Sequence, residues 1–495
     1  MNYSEVLRNH ARNRPTHPAI LDSISGVTYA QFDRLVDAAA ARLSGQGVRQ
    51  GDMVALAIDE RIEYMIAFYG LIRIGAAVFC LTPADSDEEL RTELVGFEAR
   101  WLVTNGRHDV AGAVGVISVD ESWRKAEEPV APYDMPHGED MPAYLIQTSG
   151  TTSGKSRAVL FSHGDLVRRV GFSQANLGYG PWDRFASLVP LSFNVGRIHV
   201  MQTLQTGGTA LILPPSIPPA NLPPLVAKNG VTWLFVTPFH LRKMLREFAN
   251  ADRPVLQGLR QLVVASSVLT AQERAAARRL LLPHLVEQYG TAQGGLHSTS
   301  YPADQDAAPD AVGRIAVGAE AEIVDKDDRP VPPGTIGEIR LRGVGCATSY
   351  YKDPEATARS FRNGWFYPGD LAMMDSRGYL FLKGRTDDMF IFDGVNIYPE
   401  EVEVVLLRHP QIVEAAVVAQ PSQDNQDVPV AFVVAAGAVT EQALLDYFST
   451  RISVFRQPRL YYFVPELPKN DLGKVVRAKL RRGLPVLPIL QPARK

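Results

Sequence analysis

The chain has 495 residues, 46% of them hydrophobic and 21% charged, with a formal net charge of -3. That length accommodates two or more domains with a large core, and the near-neutral charge argues against nucleic acid or an anionic membrane surface as a partner. No run of about 20 apolar residues is present to span a bilayer, the N-terminal MNYSEVLRNHARNRP has no apolar signal core, and the two distant cysteines, Cys80 and Cys346, lack metal-like spacing, which together fit a protein of the reducing cytoplasm.

The first hundred residues alternate between helix and strand patterns. Thr28 and Gln31 make a capping box, after which Phe32, Leu35, Val36, Ala39 and Leu43 fall on one helical face. MVALAI (residues 53–58) is a continuous apolar run, as a strand buried on both faces requires. Met65, Phe68 and Ile72 mark the next helix, and AAVFCL the next strand.

At residues 148–156 the chain reads TSGTTSGKS. This is one residue short of a P-loop, because Gly150 and Gly154 enclose three residues where that motif needs four. A P-loop lysine also opens a helix at once, whereas RAVLFSH is β-branched and aromatic and reads as a strand, as does AYLIQ before the loop. The stretch is therefore a Gly/Ser/Thr loop between two strands. Its hydroxyls and glycine-permitted N–H groups can wrap a polyphosphate; a polar hairpin turn is the plainer alternative.

Alternation resumes between Asp165 and Gln288, with helices at Asp165, near Val226, at Pro238 and at Ala271, and strands at TALILP, TWLFVT, QLVVAS and LVEQYG. Such alternation predicts parallel α/β layers. PPSIPPANLPP (residues 214–224) reads as a stiff connection. From about Ala311, the short alternating strands AEAEIVD, GEIRLRG and GYLFLKG, separated by Gly and Pro turns, predict an antiparallel or barrel-like section. After Gly384 a compact α+β pattern begins. Pro399 stands at a helix start, followed by strands IVEAAVVA and VPVAFVVA, a helix after Thr440 and a strand at RLYYFV. The expected fold class is α/β, with a large N-terminal domain of packed α/β sheets plus a barrel-like β section over residues 1–386. A small α+β C-terminal domain follows over residues 387–495.

Four further stretches carry chemistry: YGTAQ at residues 289–293, GWFYPGD ending at Asp370, GRTDDMFIFDGVNIYPEEVE starting at Gly384, and LPKNDLGKVVR carrying Lys474. Their order and spacing resemble the adenylate-forming superfamily of acyl- and aryl-CoA ligases, amino-acid adenylation domains and firefly-type luciferases. The resemblance spans nearly the whole chain, and the last two stretches are its most specific part. It implies a mobile C-terminal cap across a hinge, an active site between the two domains, and the use of ATP, Mg2+ and coenzyme A. In the implied reaction a carboxylate attacks the α-phosphate of ATP to give acyl-AMP and pyrophosphate, and a thiol then displaces AMP. Both reactants of the first half are anions, so the site has to supply cations and N–H donors.

Carried over residue by residue, the resemblance implies a catalytic group of Lys474, Arg385 and Thr148. Lys474 bridges carboxylate and α-phosphate as a compact, mobile charge, Arg385 contacts the ribose and phosphate side, and Thr148, with Ser149, Gly150, Thr151, Thr152 and Lys155, holds the β- and γ-phosphates. Asp370 takes both ribose hydroxyls, since a carboxylate accepts two donors at once. Tyr289 flanks the adenine and leads into Gly290, Thr291, Ala292 and Gln293, while the backbone at Ser266 and Ser267 forms the other wall. Asp387 is implied as the hinge and Gly394 as part of the thiol tunnel.

The chain departs from the family pattern in places. The loop carries an extra Ser153 and has Arg157 where lysine is usual, and Ser266 replaces a glycine. Ala292 replaces a phosphate-facing hydroxyl, and Gln293 replaces the glutamate that helps to hold Mg2+, which predicts a raised Mg2+ requirement. Phe193, Asn194, Phe239 and Gly294 are expected to line the acid pocket. Family members that take α-amino acids carry an aspartate near Asn194, and its absence here argues against such a substrate. An amide among aromatic residues instead suits an aryl or other small cyclic acid, with a plain aliphatic acid as the alternative if Asn194 is a structural cap. Arg197 and His199 can pair a second carboxylate but are read as surface residues.

The expected acceptor is CoA, with Arg342, Lys352, Arg451, Arg456 and Arg459 as candidates for its 3'-phosphate. A carrier-protein phosphopantetheine arm is the second reading, and a nucleotide-binding scaffold that no longer adenylates is the third. The expected partners are thus a small carboxylic acid and CoA or an acyl carrier protein, with no nucleic acid and no membrane.

Overall fold

Short, mostly buried strands of two to seven residues, joined by amphipathic helices, generate two sheets in the N-terminal part of the chain. The computed structural model describes residues 1–484 except 23–24, 107, 111, 113, 126–129, 149–156, 215, 268, 393–394, 424–426, 471–472 and 483. The helix Tyr29–Gly45 starts at the expected capping box, with Thr28 Oγ1 accepting from Gln31 N and Gln31 Oε1 accepting from Thr28 N at 2.9 Å. Phe32, Leu35, Val36, Ala39 and Leu43 are all buried. The next helix, Ile62–Ile74, is apolar nearly all round because it is enclosed on every side. Its one buried guanidinium, Arg73, is neutralised by Asp33 at 2.6 Å and Asp37 at 2.8 Å from the preceding helix.

The first sheet has six strands in the order Gly115–Ser118, Trp101–Thr104, Met53–Ala57, Ala77–Cys80, Pro142–Thr148 and Arg157–Ser162. Only the last pair is antiparallel, and its register sets Thr148 opposite Arg157. The second sheet has nine strands. Six neighbouring strands, Pro18–Leu21, Thr209–Leu211, Arg184–Ser187, Trp233–Val236, Gln261–Val264 and Leu285–Thr291, are parallel. Antiparallel strands close each flank, Gly26–Thr28 on one side and Gly295–Ser300 with Arg314–Ile315 on the other. The proline-rich residues 214–224 are only partly the expected stiff connection. A 3-10 turn, Pro219–Asn221, leads into a helix, Leu222–Asn229. Pro223 and Pro224 fall in its first turn, where a missing N–H costs little.

The strands from Ala319 to Arg385 form the antiparallel alternative as an open sheet. Ala319–Val324, Gly337–Gly343, Asp370–Met374 and Leu380–Arg385 pair in antiparallel succession, with two short strands, Phe361–Arg362 and Trp365–Phe366, at the other side. Beyond Arg385 the hairpin Phe390–Phe392 with Val395–Ile397 and the sheet Ile412–Pro421, Asp427–Ala435, Leu460–Phe463 have their own core, which includes Ile397, Leu406, Val417, Val430, Leu444 and Phe448. Ion pairs Lys383–Glu401 at 3.4 Å and Arg408–Asp310 at 2.9 Å tie this core to the preceding sheets. No helix among the described residues is long and apolar enough to cross a membrane.

One buried ion pair fixes the strand Leu285–Thr291, which leads into the site. Arg274, on the helix Ala271–Leu280, donates to Glu287 of that strand at 2.6 Å, and both side chains are 5% exposed. Removing one member of such a pair strands a buried charge. Arg274→Met is expected to cost roughly 3–5 kcal/mol, read as a lower midpoint in urea unfolding.

Candidate active site

Parallel strands present their carboxyl ends on one side of a sheet, and ligand clefts form there. In the nine-stranded sheet that side carries Phe239 just past Trp233–Val236, Ser266 and Ser267 just past Gln261–Val264, and Tyr289, Gly290 and Thr291 at the end of Leu285–Thr291. The fold thus brings together residues from Phe239 to Thr291, widely separated in the sequence.

Asp370 joins this row from the antiparallel sheet. It opens the strand Asp370–Met374 and is in register with Arg385. Arg385 Nη1 donates to Asp370 Oδ1 at 2.8 Å and to the Pro368 carbonyl at 2.7 Å, and the Tyr289 hydroxyl donates to Asp370 Oδ2 at 2.5 Å. Burial, then the adjacent Asp370 charge, raises the Tyr289 pKa well above its usual value, so the phenol stays a neutral donor. The turn before Asp370 needs a glycine. Gly369 has φ +78°, and an added Cβ would lie 3.2 Å from Arg385 Nη2. Each carboxylate oxygen accepts more than one hydrogen bond, so Asp370, though held by two partners, keeps capacity for a ligand's hydroxyls.

Lys474 approaches from the C-terminal core. Its loop is closed by Asn470, whose N–H donates to the Lys474 carbonyl at 2.9 Å and whose side-chain oxygen accepts from Lys474 N at 2.9 Å. Gly473, at φ +76°, is so close to Phe239 that an added Cβ would sit 2.6 Å from the Phe239 Cβ. The loop therefore rests on Phe239, and the Lys474 side chain is exposed at the junction. Glu400 senses both sides of the cleft. Burial first raises its pKa to about 7, Arg477 lowers it, Glu403 and Asp370 raise it, and Lys474 lowers it.

The turn after Tyr289 is tightly determined. Thr291 Oγ1 accepts from Gly294 N at 2.9 Å and meets His297 Nε2 at 2.9 Å. Burial, then the Arg169 charge, depresses His297 to about 3, so the ring is neutral at physiological pH. A side chain at Gly294 would collide with that ring. Ala292 packs against the main core, and Gln293 Nε2 donates to the Tyr350 hydroxyl at 2.9 Å. The Gln293 amide oxygen is the atom of that side chain able to ligate Mg2+. No group of three or more His, Cys, Asp or Glu side chains converges as a metal site among the described residues.

Other expected residues are placed as follows. Thr148 ends its strand and donates from Oγ1 to the Arg157 carbonyl at 3.2 Å. Asp387 accepts from Thr386 Oγ1 at 3.0 Å and stands 3.6 Å from Arg385 Nη2. Phe193 precedes the helix Asn194–Thr206, and Asn194 Oδ1 accepts from the Tyr144 hydroxyl at 3.0 Å. Ser149, Gly150, Thr151, Thr152, Lys155 and Gly394 lie outside the described residues.

The surface reading of Arg197 and His199 is overturned. Their helix lies against the strands Arg184–Ser187 and Thr209–Leu211 and the helix His163–Leu177, and both side chains are buried. Arg197 donates to the hydroxyls of Tyr144 at 2.9 Å and Tyr64 at 2.8 Å. His199 Nδ1 lies 2.9 Å from the Tyr179 hydroxyl and 2.8 Å from Gln202 Oε1, and burial lowers its pKa to about 4. All five basic residues considered for CoA have structural partners of their own, Arg459 lying over the Phe392 ring. Arg342 pairs with Glu320, Lys352 with Glu98 and Arg456 with Glu401, and Arg451 lies over the Tyr447 ring. Sequence reading missed Arg169, Tyr350 and Glu400. Of these only Glu400 falls inside a quoted motif.

A family model of the AMP-binding enzymes matches residues 7–351, and one of the AMP-binding enzyme C-terminal domain matches residues 401–474. The chain belongs to the AMP-binding enzyme family. It is similar to 2-succinylbenzoate–CoA ligase of Geobacillus kaustophilus, with 30% identity over 486 residues covering 97% of each chain. Among solved structures it is similar to o-succinylbenzoate CoA synthetase (MenE) of Bacillus subtilis in complex with the acyl-adenylate intermediate OSB-AMP, at 26% identity and TM-score 0.89, covering 97% of this chain and 98% of that one. The same Bacillus enzyme in complex with ATP and magnesium ion gives 25% identity and TM-score 0.87, covering 98% and 99%.

One departure in this AMP-binding enzyme has a measurable cost. Ser266 adopts φ +96°, in the region that favours glycine, so the backbone keeps a glycine conformation under a side chain. Ser266→Gly is expected to raise stability by roughly 1 kcal/mol, checked as a higher thermal midpoint.

Proposed function

We propose that this AMP-binding enzyme is an acid–thiol ligase that activates an aryl or other small cyclic carboxylic acid with ATP through an acyl-adenylate and passes the acyl group to coenzyme A. One observation carries the reading: the Lys474 loop is seated on Phe239 while Asp370, Arg385 and Tyr289 are locked together across the same cleft. Support for an aryl acid comes from the 2-succinylbenzoate–CoA ligases among the relatives, and from Asn194 and Phe193 at the start of a buried helix.

In this reading Asp370, oriented by Arg385 and Tyr289, takes the ribose hydroxyls. Tyr289 with Gly290 and the Ser266–Ser267 backbone flank the adenine. Thr148, Ser149, Gly150, Thr151, Thr152 and Lys155 hold the β- and γ-phosphates. Mg2+ supplies charge to the phosphates when bound. The Gln293 amide oxygen would be its protein ligand here, a neutral one, leaving most of the ligation to phosphates and water. Lys474 neutralises the approach of the carboxylate to the α-phosphate, two groups that repel each other until a cation stands between them. Phe239 and Gly294 complete the acid pocket.

After adenylation, a swing at Asp387, at the boundary of residues 1–386 and 387–495, would withdraw Lys474 and bring Gly394 to the thiol path. The two free, separated cysteines fit a cytoplasmic enzyme. A carrier-protein phosphopantetheine arm has the same thiol chemistry as CoA, and comparing the two acceptors with one adenylate decides between them. A scaffold without chemistry is the weaker reading, because Lys474, Arg385 and Asp370 are all retained and the last two are already paired.

The direct test is Lys474→Ala in ATP–pyrophosphate exchange across a panel of aryl and aliphatic acids. The rate is expected to fall roughly 10²–10³-fold, the scale of one lost electrostatic stabiliser, with little change in the KM for ATP. An undiminished rate would refute the proposed function.

A further inference from the structure

Arg169 lies on the helix His163–Leu177, outside every motif, and is 4% exposed. Its guanidinium has no carboxylate partner among the described residues. It donates instead to four carbonyls: Ala292 at 2.7 Å, Gly345 at 2.8 Å, Gln293 at 3.2 Å and Thr291 at 3.3 Å. The Phe161 ring lies 4.6 Å from its Cζ. Two glycines in the left-handed region admit the side chain. An added Cβ at Gly345 would lie 2.7 Å from the Arg169 Cα, and one at Gly295 would lie 3.3 Å from its Cζ. Burial lowers the Arg169 pKa to about 10, which still leaves a full positive charge at neutral pH.

Three of the four carbonyls are consecutive. In a trans peptide the N–H points opposite to the C=O. Drawing the carbonyls of Thr291, Ala292 and Gln293 toward Arg169 therefore turns the N–H groups of Ala292, Gln293 and Gly294 away from it. The Gly294 N–H is taken by Thr291 Oγ1. Those of Ala292 and Gln293 have no acceptor among the described residues. Consecutive free N–H groups make a concave anion receptor, and a buried cation without a counter-ion is a standing cost that a bound anion relieves.

We propose that Arg169 is a positioning residue for the nucleotide: it fixes the peptide dipoles of residues 291–293 so that the Ala292 and Gln293 N–H groups receive a phosphate, and it stands behind them as the positive charge that the neutral Ala292 and Gln293 side chains do not supply. This rests on the nucleotide reading of the cleft. It assigns phosphate recognition at this turn to the backbone rather than to side chains, and it explains why an alanine and a glutamine are tolerated there.

The test is calorimetric titration of ATP, AMP and adenosine into the wild type, Arg169→Met and Arg169→Lys. Met keeps an unbranched stem and removes the charge; Lys keeps the charge and loses the fork. Arg169→Met is expected to weaken ATP and AMP roughly ten-fold or more while adenosine, which has no phosphate, binds within about two-fold of wild type. Arg169→Lys falls between the two. Unchanged ATP and AMP affinity, or an equal loss for all three ligands, would overturn the proposal, the second outcome marking Arg169 as merely structural. If Arg169→Met does not fold, the same comparison in Arg169→Lys decides. Wild-type protein that binds none of the three would instead remove the nucleotide reading itself.

Discussion

A single carboxylate, Asp370, is the point on which the cleft depends. It is oriented on one oxygen by Arg385 and on the other by Tyr289. These two partners come from different sheets, so Asp370 locks the open antiparallel sheet to the strand Leu285–Thr291 of the nine-stranded sheet. The lock also sets a conformation for the backbone that leaves the sheet toward the C-terminal core, since Thr386 N and Oγ1 both donate to the Gly369 carbonyl. A carboxylate held on both sides loses rotational freedom before any ligand arrives. That is the physical basis of a preorganised site.

Charge is arranged economically around this point. Two anionic reactants need cations, yet among the described residues two arginines near the cleft are already committed. Arg385 is committed to Asp370, and Arg169 is buried behind a turn. Lys474 is exposed, on a loop closed by Asn470 and admitted to Phe239 by Gly473. In the proposed swing this charge leaves before the second step, which needs the same space. Glu400, whose pKa responds to both Asp370 and Lys474, lies where the two halves of the protein meet.

Much of the fold was legible because it is local. The Thr28 capping box, the apolar strand runs and the helix at Pro399 are set by neighbours within a few residues. Asp370, Arg385 and Lys474 were legible as motif positions, but their mutual geometry was not, because the register that pairs Asp370 with Arg385 and the 81-residue step from Tyr289 to Asp370 are tertiary. Arg197 and His199 misled for a related reason. A polar residue on a helix normally marks a solvent face, and here the helix has none at those positions. Arg169 gave no signal at all, since its partners are main-chain carbonyls that any sequence would supply. The prolines at 223 and 224 were read as part of a stiff connection, although a helix tolerates them in its first turn.

The central claim is that Asp370 recognises a nucleotide's vicinal hydroxyls. The most direct measurement compares adenosine with 2',3'-dideoxyadenosine by calorimetry in the wild type and in Asp370→Asn. The account predicts that the substitution weakens adenosine roughly ten-fold or more, as expected for hydrogen bonds to a charged group, and leaves the already weak dideoxy compound unchanged. Equal affinity of the two proteins for adenosine would contradict it.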